Sequence, residues 1–378
     1  MVTPGIGRLL GDHATSVRAK SGKRVALLGH AASVLTDLTP TLDALAGAGV
    51  RVVAVFGPEH GYRGAQQAGL SEGHAIDEAT GVPVLDGYLR PMAELLAQAR
   101  PDVVIVDVQH AGARFYTYES SVHDLIAACG ASGTRIIVCD RPNPVAGAIS
   151  GPVLDTRFAS FVGRAAIPLR HGMTLGELAL LFARIHAVAD LVDVVPMAGW
   201  TRSAWYRDTG LPWVPPSPNL PTTASTLCYP GICLMEGTSL SAGRGTTTPF
   251  EVTGAPWADA RLAGCLRALA LPGVAFRAAD FIPQFDRYAG QRVSGVQLHV
   301  TDAASFDPLR CALEIIAAAT RLWPDRLTFR DEHFDRLVGT DLVRLALLDG
   351  VAPADIVASW DGELAGFAEA REPCLLYD

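Results

Sequence analysis

The sequence lacks a dense cluster of basic residues. Lysine and arginine together number 31, against 39 aspartates and glutamates, and the formal net charge is −8. Proteins that bind nucleic acid or an anionic membrane neutralise its phosphates with clustered basic side chains. We therefore expect neither nucleic acid nor a membrane among the partners of this chain.

Signals for export and for disulfide formation are also missing. Residues 1–20 contain no basic start followed by a sustained apolar run, so they do not resemble a signal peptide. The seven cysteines are odd in number, form no close CxxC pair and lie in apolar surroundings, which is typical of reduced core residues. The sequence predicts a cytoplasmic protein, or a secreted one if a leader has been removed.

Several catalytic and cofactor motifs are absent as well. There is no HExxH motif for zinc and no GxSxG nucleophile elbow. Gly29 follows the first predicted strand, but it is not followed by the glycine series that a dinucleotide phosphate needs. We expect no metal and no cofactor, and we disfavour a nicotinamide-dependent enzyme.

What the sequence does contain is a repeated strand and helix pattern within a globular composition. Apolar residues make up 49% and charged residues 19% of 378 positions, which suits two domains. Short, almost wholly apolar runs predict parallel strands that are covered by helices on both faces. These runs are residues 24–28, 51–56, 103–108, 135–139 and 191–197. The helices predicted between them are residues 41–48, 91–100 and 120–129, and one that follows the capping-box pair Thr174 and Glu177.

The pattern changes beyond residue 229. A loop rich in glycine, serine and threonine precedes a predicted helix at 260–270, a strand at 295–300 and a helix at 308–322. This mixed order predicts a smaller α+β domain. The predicted fold is therefore α/β, with an open and mostly parallel sheet in domain 1–228 and a smaller α+β domain at 229–378.

Polar side chains gather immediately after three of the predicted strands. Ligands of open parallel sheets bind beyond the carboxyl ends of the strands. One polar turn residue alone is more often structural, but three strand ends that all carry such groups indicate a functional crevice. The residues are Glu59, His60, Arg63, Asp107, Gln109, His110, Arg114, Tyr116, Tyr118, Asp140 and Asn143.

These segments resemble, in consistent order, the NamZ family of exo-acting β-N-acetylmuramidases from bacterial peptidoglycan recycling. The blocks that carry the resemblance include GPEHGYRG, DVQHAGARFYTY, DRPNP, WVPPSPNLPTT and EGTSLSAGRGTTTPFE. The resemblance implies a Rossmann-like N-terminal domain, a smaller C-terminal domain and an active site in the cleft between them. It also implies a small carbohydrate partner, from whose non-reducing end N-acetylmuramic acid is released.

The resemblance assigns roles to individual positions. Glu59 of the PEHG block and Glu236 of the EGT block are implied to be catalytic. Arg244 of the GRGT block and Asn219 of the PSPNLP block are implied to bind substrate. Tyr116 and Tyr118 alternate on a predicted extended stretch, so they should share one side and either stack on a sugar ring or pack in the interior.

Two positions depart from the family pattern. His110 stands where relatives commonly have aspartate, and Glu119 stands where they have an apolar residue. The first departure predicts a change of specificity at His110. The second argues against Glu119 as the general catalyst.

Hydrolysis of a glycoside usually needs two carboxyl groups, one of which protonates the leaving oxygen. We expect Glu59 to be this acid, with its pKa raised by desolvation in the cleft. Its partner is Glu236, Asp107 or Asp140, or else the acetamido oxygen of the substrate attacks and the protein only orients it.

The substrate also carries a lactyl carboxylate, which a guanidinium group can bind through two hydrogen bonds. Arg63, Arg114 and Arg244 are the candidates, and for Arg244 a purely structural bridge to backbone carbonyls is an equal alternative. The competing function is a non-catalytic protein that binds or senses amino sugars in the same cleft. The presence of both Glu59 and Glu236 disfavours it, because a pure binder needs no proton donor.

Overall fold

The computed structural model describes residues 1–11 and 22–378, and its largest element is a seven-stranded sheet. The strands of this sheet are β1 (Val25–Gly29), β2 (Val52–Gly57), β3 (Ala75–Ile76), β4 (Pro83–Asp86), β5 (Val103–Asp107), β6 (Arg135–Cys139) and, after two strands of a separate small sheet, β9 (Val192–Val195). Their order is β3, β4, β2, β1, β5, β6, β9, and every neighbouring pair except β3 and β4 is parallel. The predicted α/β fold with a mostly parallel open sheet is confirmed.

The two faces of this sheet belong to two different apolar clusters. Leu27 and Val55 lie in one cluster, whereas their chain neighbours Leu28 and Phe56 lie in the other. Side chains alternate along a strand, so apolar runs without polar interruption supply both faces at once. This explains why the buried strands have no alternating pattern.

The helices of this part of the chain are α1 (Gly5–Leu10), α2 (Thr41–Gly47), α3 (Met92–Ala99), α4 (Thr117–Ser132) and α5 (Leu175–Ile185). All of them except α1, which the sequence did not predict, begin close to their predicted positions. The predicted capping box at the start of α5 is present, since Thr174 and Glu177 each accept a hydrogen bond from the backbone N–H of the other. The start of α4 lies three residues before the predicted one, which brings Thr117 to the first turn. The separate two-stranded sheet pairs β7 (Ser150–Val153) with β8 (Pro168–Arg170).

The remainder of the chain, which we call the second unit, starts with a helix and carries a three-stranded antiparallel sheet. Its strands β10 (Val252–Ala255), β11 (Val274–Phe281) and β12 (Val293–Val300) have the order β10, β12, β11. Its helices are α6 (Thr223–Ile232), α7 (Arg261–Ala268), α8 (Pro308–Leu322), α9 (Asp331–Val338), α10 (Leu342–Leu348), α11 (Pro353–Ala358) and α12 (Asp361–Arg371). Of these strands the sequence predicted only part of β12, because β10 and β11 alternate with polar or small residues.

The predicted boundary between residues 228 and 229 falls inside α6. This helix packs closely on α8: a Cβ atom on Gly231 would lie 1.9 Å from the carbonyl oxygen of Pro308. One apolar cluster continues from Leu125 of α4 through Tyr229 to Ile315 of α8, so a shared core joins the two parts. In the described ranges, none of the helices has both the length and the apolar character needed to span a membrane.

Candidate active site

A cavity of about 400 Å³ lies where the carboxyl end of β2 and the start of α4 meet the second unit. We call it the central cavity. The polar and aromatic residues that line it from the first part of the chain are Glu59, His60, Tyr88, Phe115, Tyr116, Thr117, Phe161 and Ser217. Those from the second unit are Tyr229, Glu236, Arg244, Phe250, Asp286 and His333. A larger cavity, of about 850 Å³, lies between β7 and the last helices, but no histidine or arginine lines it and it contains none of the predicted site residues.

Glu59 is held by hydrogen-bond donors on both carboxylate oxygens. Its Oε1 accepts from the backbone N–H of Gly69 at 2.6 Å, and its Oε2 accepts from the Thr117 hydroxyl at 2.6 Å. Thr117 is the first residue of α4, whose N-terminus favours a negative charge. These contacts suit the ionised carboxylate, so they favour Glu59 as a base or nucleophile and not as the acid that the sequence predicted.

Glu236 and Arg244 form an ion pair on the opposite wall. Glu236 lies in the 3₁₀ turn Cys233–Gly237, and its Oε1 accepts from the Arg244 Nε at 2.6 Å. Burial lowers the pKa of Arg244, but the Glu236 carboxylate outweighs this effect and holds the pKa above its ordinary value. The Arg244 guanidinium lies over the Phe250 ring, 5.0 Å from its centre. Its two Nη atoms hydrogen-bond to no residue of the described ranges, which leaves them for a ligand.

His60 and Tyr88 stand beside Glu59. Burial lowers the pKa of His60, and the Arg244 charge adds to this effect although Glu59 opposes it, so the imidazole is neutral near pH 7. Its Nδ1 lies 2.9 Å from the carbonyl oxygen of Gln66, and its backbone φ of +73° is a strained conformation for a residue other than glycine. Burial, together with the Glu59 and Asp86 carboxylates, raises the pKa of Tyr88 to about 12.

The chain matches a known protein family over most of its length. The N-terminal model of the exo-β-N-acetylmuramidase NamZ family matches residues 25–224, and the C-terminal model matches residues 227–377. The chain belongs to the NamZ family. It is 41% identical over 383 residues to the peptidoglycan β-N-acetylmuramidase NamZ of Bacillus subtilis (strain 168), a match that covers 100% of this chain and 91% of the relative.

Two solved structures of DUF1343 family proteins from Bacteroides fragilis NCTC 9343 are also similar. The first has a TM-score of 0.90 and the second a TM-score of 0.79, and both are 32% identical to this chain. Each match covers 100% of this chain and 99% of the other. The NamZ fold is thus shared along the whole length.

Only some of the residues predicted for this NamZ site line the central cavity. Glu59, His60, Tyr116, Glu236 and Arg244 do. The others lie elsewhere, and their partners within the protein show why. They are Arg63, Asp107, Gln109, His110, Arg114, Tyr118, Asp140, Asn143 and Asn219.

Two predicted carboxylates belong to buried networks. Asp107 is fully buried and accepts from Arg141 Nε at 2.6 Å and from the Thr41 hydroxyl at 2.5 Å. Asp140 is equally buried and accepts from the Thr174 hydroxyl at 2.6 Å and the Tyr377 hydroxyl at 2.7 Å. Burial raises the pKa of Asp140 to about 6 despite these bonds. Neither carboxylate is accessible as a catalytic partner of Glu59.

Two of the three predicted arginines are structural. Arg114 is 1% exposed and donates to four backbone carbonyls, those of Pro152, Ile167, Leu337 and Val338, so it ties the second unit to the first. Burial lowers its pKa to about 9. Arg63 has a 46% exposed side chain that pairs with Asp77 outside the cavity. Hydrogen bonds to backbone carbonyls, which were the structural alternative for Arg244, are thus made by Arg114 instead.

The three predicted amides also bond within the protein. Gln109 donates to the carbonyl oxygens of His110 and Pro142 at 2.9 Å. Asn143 donates to the Met173 carbonyl at 2.9 Å and accepts from the Val145 N–H. Asn219 donates to Gln67 Oε1 at 3.0 Å. These side chains shape the loops around the site and do not reach the substrate space.

The two tyrosines do not lie on an extended stretch. Tyr116 caps α4 and Tyr118 lies in its first turn, with ring centres 4.7 Å apart. The Tyr116 hydroxyl donates to the Pro216 carbonyl at 2.9 Å. The Tyr118 hydroxyl lies within donating distance of the same carbonyl, at 2.9 Å, and of the Glu59 carbonyl, at 3.1 Å. Tyr118 therefore fixes the backbone of Glu59, whereas Tyr116 forms part of the cavity wall.

His110 belongs to a buried cluster with Glu119 and His171. Its Nδ1 lies 3.1 Å from Glu119 Oε1, and His171 Nε2 lies 3.6 Å from the same oxygen. Burial lowers the pKa of both histidines and raises that of Glu119. Because none of the three is exposed, the structure gives His110 no contact with the substrate and hence no direct role in specificity.

This cluster is also the group of described residues whose spacing comes nearest to a metal site. One potential ligand atom from each of the three residues lies within 4.8 Å of the others, a spacing at which they could hold a metal ion. The two imidazole rings are stacked, with centres 5.7 Å apart and planes within 24° of parallel. His171 Nδ1 accepts from the Met173 N–H at 3.2 Å, which places the ring proton on Nε2, the nitrogen nearest Glu119.

Six polar residues of the cavity were missed from the sequence: Tyr88, Thr117, Ser217, Tyr229, Asp286 and His333. Tyr88 follows β4, whose four residues begin with proline and gave no strand signal. Thr117 was assigned to a loop before α4, and no local pattern marks Asp286 or His333. If the residues that follow β4 had been inspected like those that follow the other strands, Tyr88 would have been identified, but none of the other missed residues.

Proposed function

We propose that this NamZ family member is an exo-acting glycoside hydrolase that releases N-acetylmuramic acid from the non-reducing end of peptidoglycan fragments. One observation carries the proposal: Glu59 and Glu236, on opposite walls of one cavity, stand with the uncommitted Nη atoms of Arg244. The cavity volume of about 400 Å³ lies in the range of small-ligand sites. The relative from Bacillus subtilis is named as a peptidoglycan β-N-acetylmuramidase, which supports the same reaction.

Arg244 is the group that recognises the lactyl carboxylate in this proposal. Its Nε is committed to Glu236, so the two Nη atoms remain for a planar, bidentate contact with the substrate. Arg63 and Arg114 supply no alternative, because both guanidinium groups are occupied away from the cavity. An amino sugar without the lactyl group would leave the Arg244 charge partly unpaired.

Glu59 acts on the anomeric side of the substrate in its charged form. The Gly69 N–H and the Thr117 hydroxyl fix the carboxylate, so it can activate a water, attack the anomeric carbon or orient the acetamido group. Glu236 is the second carboxyl group.

The competing function, an amino-sugar sensor without turnover, is not favoured because two carboxyl groups converge on the cavity. Incubation with a chromogenic β-N-acetylmuraminide and, in parallel, with the β-N-acetylglucosaminide tests the proposal. We expect release from the first only, and loss of that release in Glu59→Gln. Binding of N-acetylmuramic acid without release from either compound would establish the sensor and refute the hydrolase.

We also propose that the protein works in the cytoplasm. Six of the seven cysteines are buried, as is typical of reduced core residues in a protein that matures in a reducing compartment. Fractionation of the source cells with an antibody to the protein tests this. Recovery in the medium or the periplasm would contradict it.

A further inference from the structure

A second, smaller cavity of about 270 Å³ adjoins the central cavity. We call it the outer recess. Tyr88 and Phe161 line both cavities, and their rings meet edge to face with centres 5.5 Å apart. The aromatic pair therefore forms a wall with the Glu59 space on one side and the outer recess on the other.

A line of polar side chains on α4 leads from Glu59 into this recess. Thr117, which holds the Glu59 carboxylate, is followed after four residues by Ser121 and after seven by Asp124. Positions i, i+4 and i+7 share one face of a helix, and seven residues cover about 10 Å along its axis. Ser121 and Asp124 both line the outer recess.

The Ser121 hydroxyl has no hydrogen-bond partner in the described part of the chain. It is 1% exposed, so it is shielded from bulk solvent and its bonding capacity is unused. An unsatisfied buried hydroxyl costs free energy unless a ligand or water bonds to it. A sugar hydroxyl or acetamido group in the recess would supply that partner.

The charges around the recess balance one another. Arg164 donates to Asp124 Oδ2 at 2.8 Å, and its guanidinium lies 5.4 Å from the centre of the Phe161 ring. Arg90 donates to Gln98 at 2.9 Å and pairs with Glu94 at 3.4 Å. A recess with an aromatic wall, a free hydroxyl and paired charges suits a neutral pyranose better than an anion or a cation.

We infer that the outer recess is a subsite for the neutral amino sugar on the leaving-group side of the scissile bond. This inference rests on the proposed function. In this arrangement the lactyl carboxylate binds Arg244 and the scissile bond lies next to Glu59. The glycan then continues past Tyr88 and Phe161 into the outer recess. The departing sugar then lies against the aromatic wall and bonds to Ser121.

The test compares substrates with and without a leaving-group sugar. Ser121→Ala and Phe161→Ala should each lower kcat/KM for the disaccharide of N-acetylmuramic acid and N-acetylglucosamine about tenfold more than for methyl β-N-acetylmuraminide. Ser120→Ala is the matched control, because Ser120 is buried on the same helix and lines neither cavity. An equal loss on both substrates would show that the variants only disturb α4 and Glu59, and would overturn the subsite, as would no loss on either.

Direct binding separates this inference from the proposed function. Free N-acetylglucosamine is titrated calorimetrically into the parent and into both variants. If N-acetylglucosamine binds to the parent and Ser121→Ala weakens this binding, the subsite is established even when neither substrate is hydrolysed. In that case only the hydrolase proposal is refuted. Absence of binding together with substrate-independent losses would remove the subsite while leaving the hydrolase intact.

Discussion

Thr117 donates its hydroxyl to Glu59 at 2.6 Å although 58 residues separate them in the chain. The contact joins the end of β2 to the first turn of α4, so the parallel sheet sets the position of the carboxylate. It also places Glu59 at a helix N-terminus, where a negative charge is stabilised. The fold therefore fixes both the position and the hydrogen-bond donors of the Glu59 carboxylate.

Thr117→Val should lower kcat roughly tenfold or more, because a hydrogen bond to a charged group is lost while the side-chain shape is kept. Steady-state kinetics of the parent and the variant measure this loss. Thr117→Ser restores the hydroxyl and should recover most of the activity; failure to do so would deny the hydroxyl its positioning role.

Glu59→Gln should keep the fold and reduce turnover at least about 100-fold. Glutamine retains an oxygen for the Gly69 N–H but has no negative charge. Because we assign Glu59 as a base or nucleophile, the loss should be as large with an acidic phenol leaving group as with the disaccharide. A loss confined to the disaccharide would instead identify Glu59 as the proton donor, as the sequence suggested.

Arg244→Met should weaken binding of N-acetylmuramic acid relative to N-acetylglucosamine by roughly 10- to 150-fold. Only the first ligand carries a carboxylate, and a charge-assisted hydrogen bond contributes about 1.5 to 3 kcal/mol. Lysine at this position should recover only part of the preference, because it keeps the charge without the planar fork. Isothermal titration with both sugars measures the ratio.

The matched control for Arg244 is Arg63→Met, which removes a guanidinium of the same chemistry from an exposed pair outside the cavity. It should leave the ratio of the two affinities unchanged. If Arg244→Met weakens both sugars equally, the arginine only supports Glu236, and the lactyl group is recognised by other donors of the cavity.

The sheet was predictable from the sequence because a buried parallel strand has a local signature. Residues 135–139, for example, are almost wholly apolar and form β6 over the same range. The short strand β4 and the alternating strand β11 lack that signature and were missed. Local composition thus identifies long apolar strands better than short strands or the strands of the smaller antiparallel sheet.

The site was less predictable, because a polar residue at a strand end can either face a cavity or pair with another side chain of the protein. The local sequence does not distinguish these two arrangements. Glu59, after β2, faces the cavity, whereas Asp107, at the end of β5, pairs with Arg141, which lies 34 residues away in the chain. The choice depends on whether a partner from another segment fills the space beyond the strand. Only the tertiary structure shows that Arg141 and Thr41 do so for Asp107.

Asp140→Asn tests the assignment of a predicted site residue to a structural network through the pH dependence of stability. Burial raises the pKa of Asp140 from its ordinary value of 3.8 to about 6, so the folded state holds the proton more tightly than the unfolded state. The stability that this proton provides is present below pH 4 and lost as the pH rises through 6, and it amounts to about 3 kcal/mol. Asparagine cannot titrate. Relative to the variant, the parent should therefore lose about this much free energy of unfolding between about pH 3 and pH 7 in urea titrations, whereas a constant difference would contradict the buried, proton-binding role.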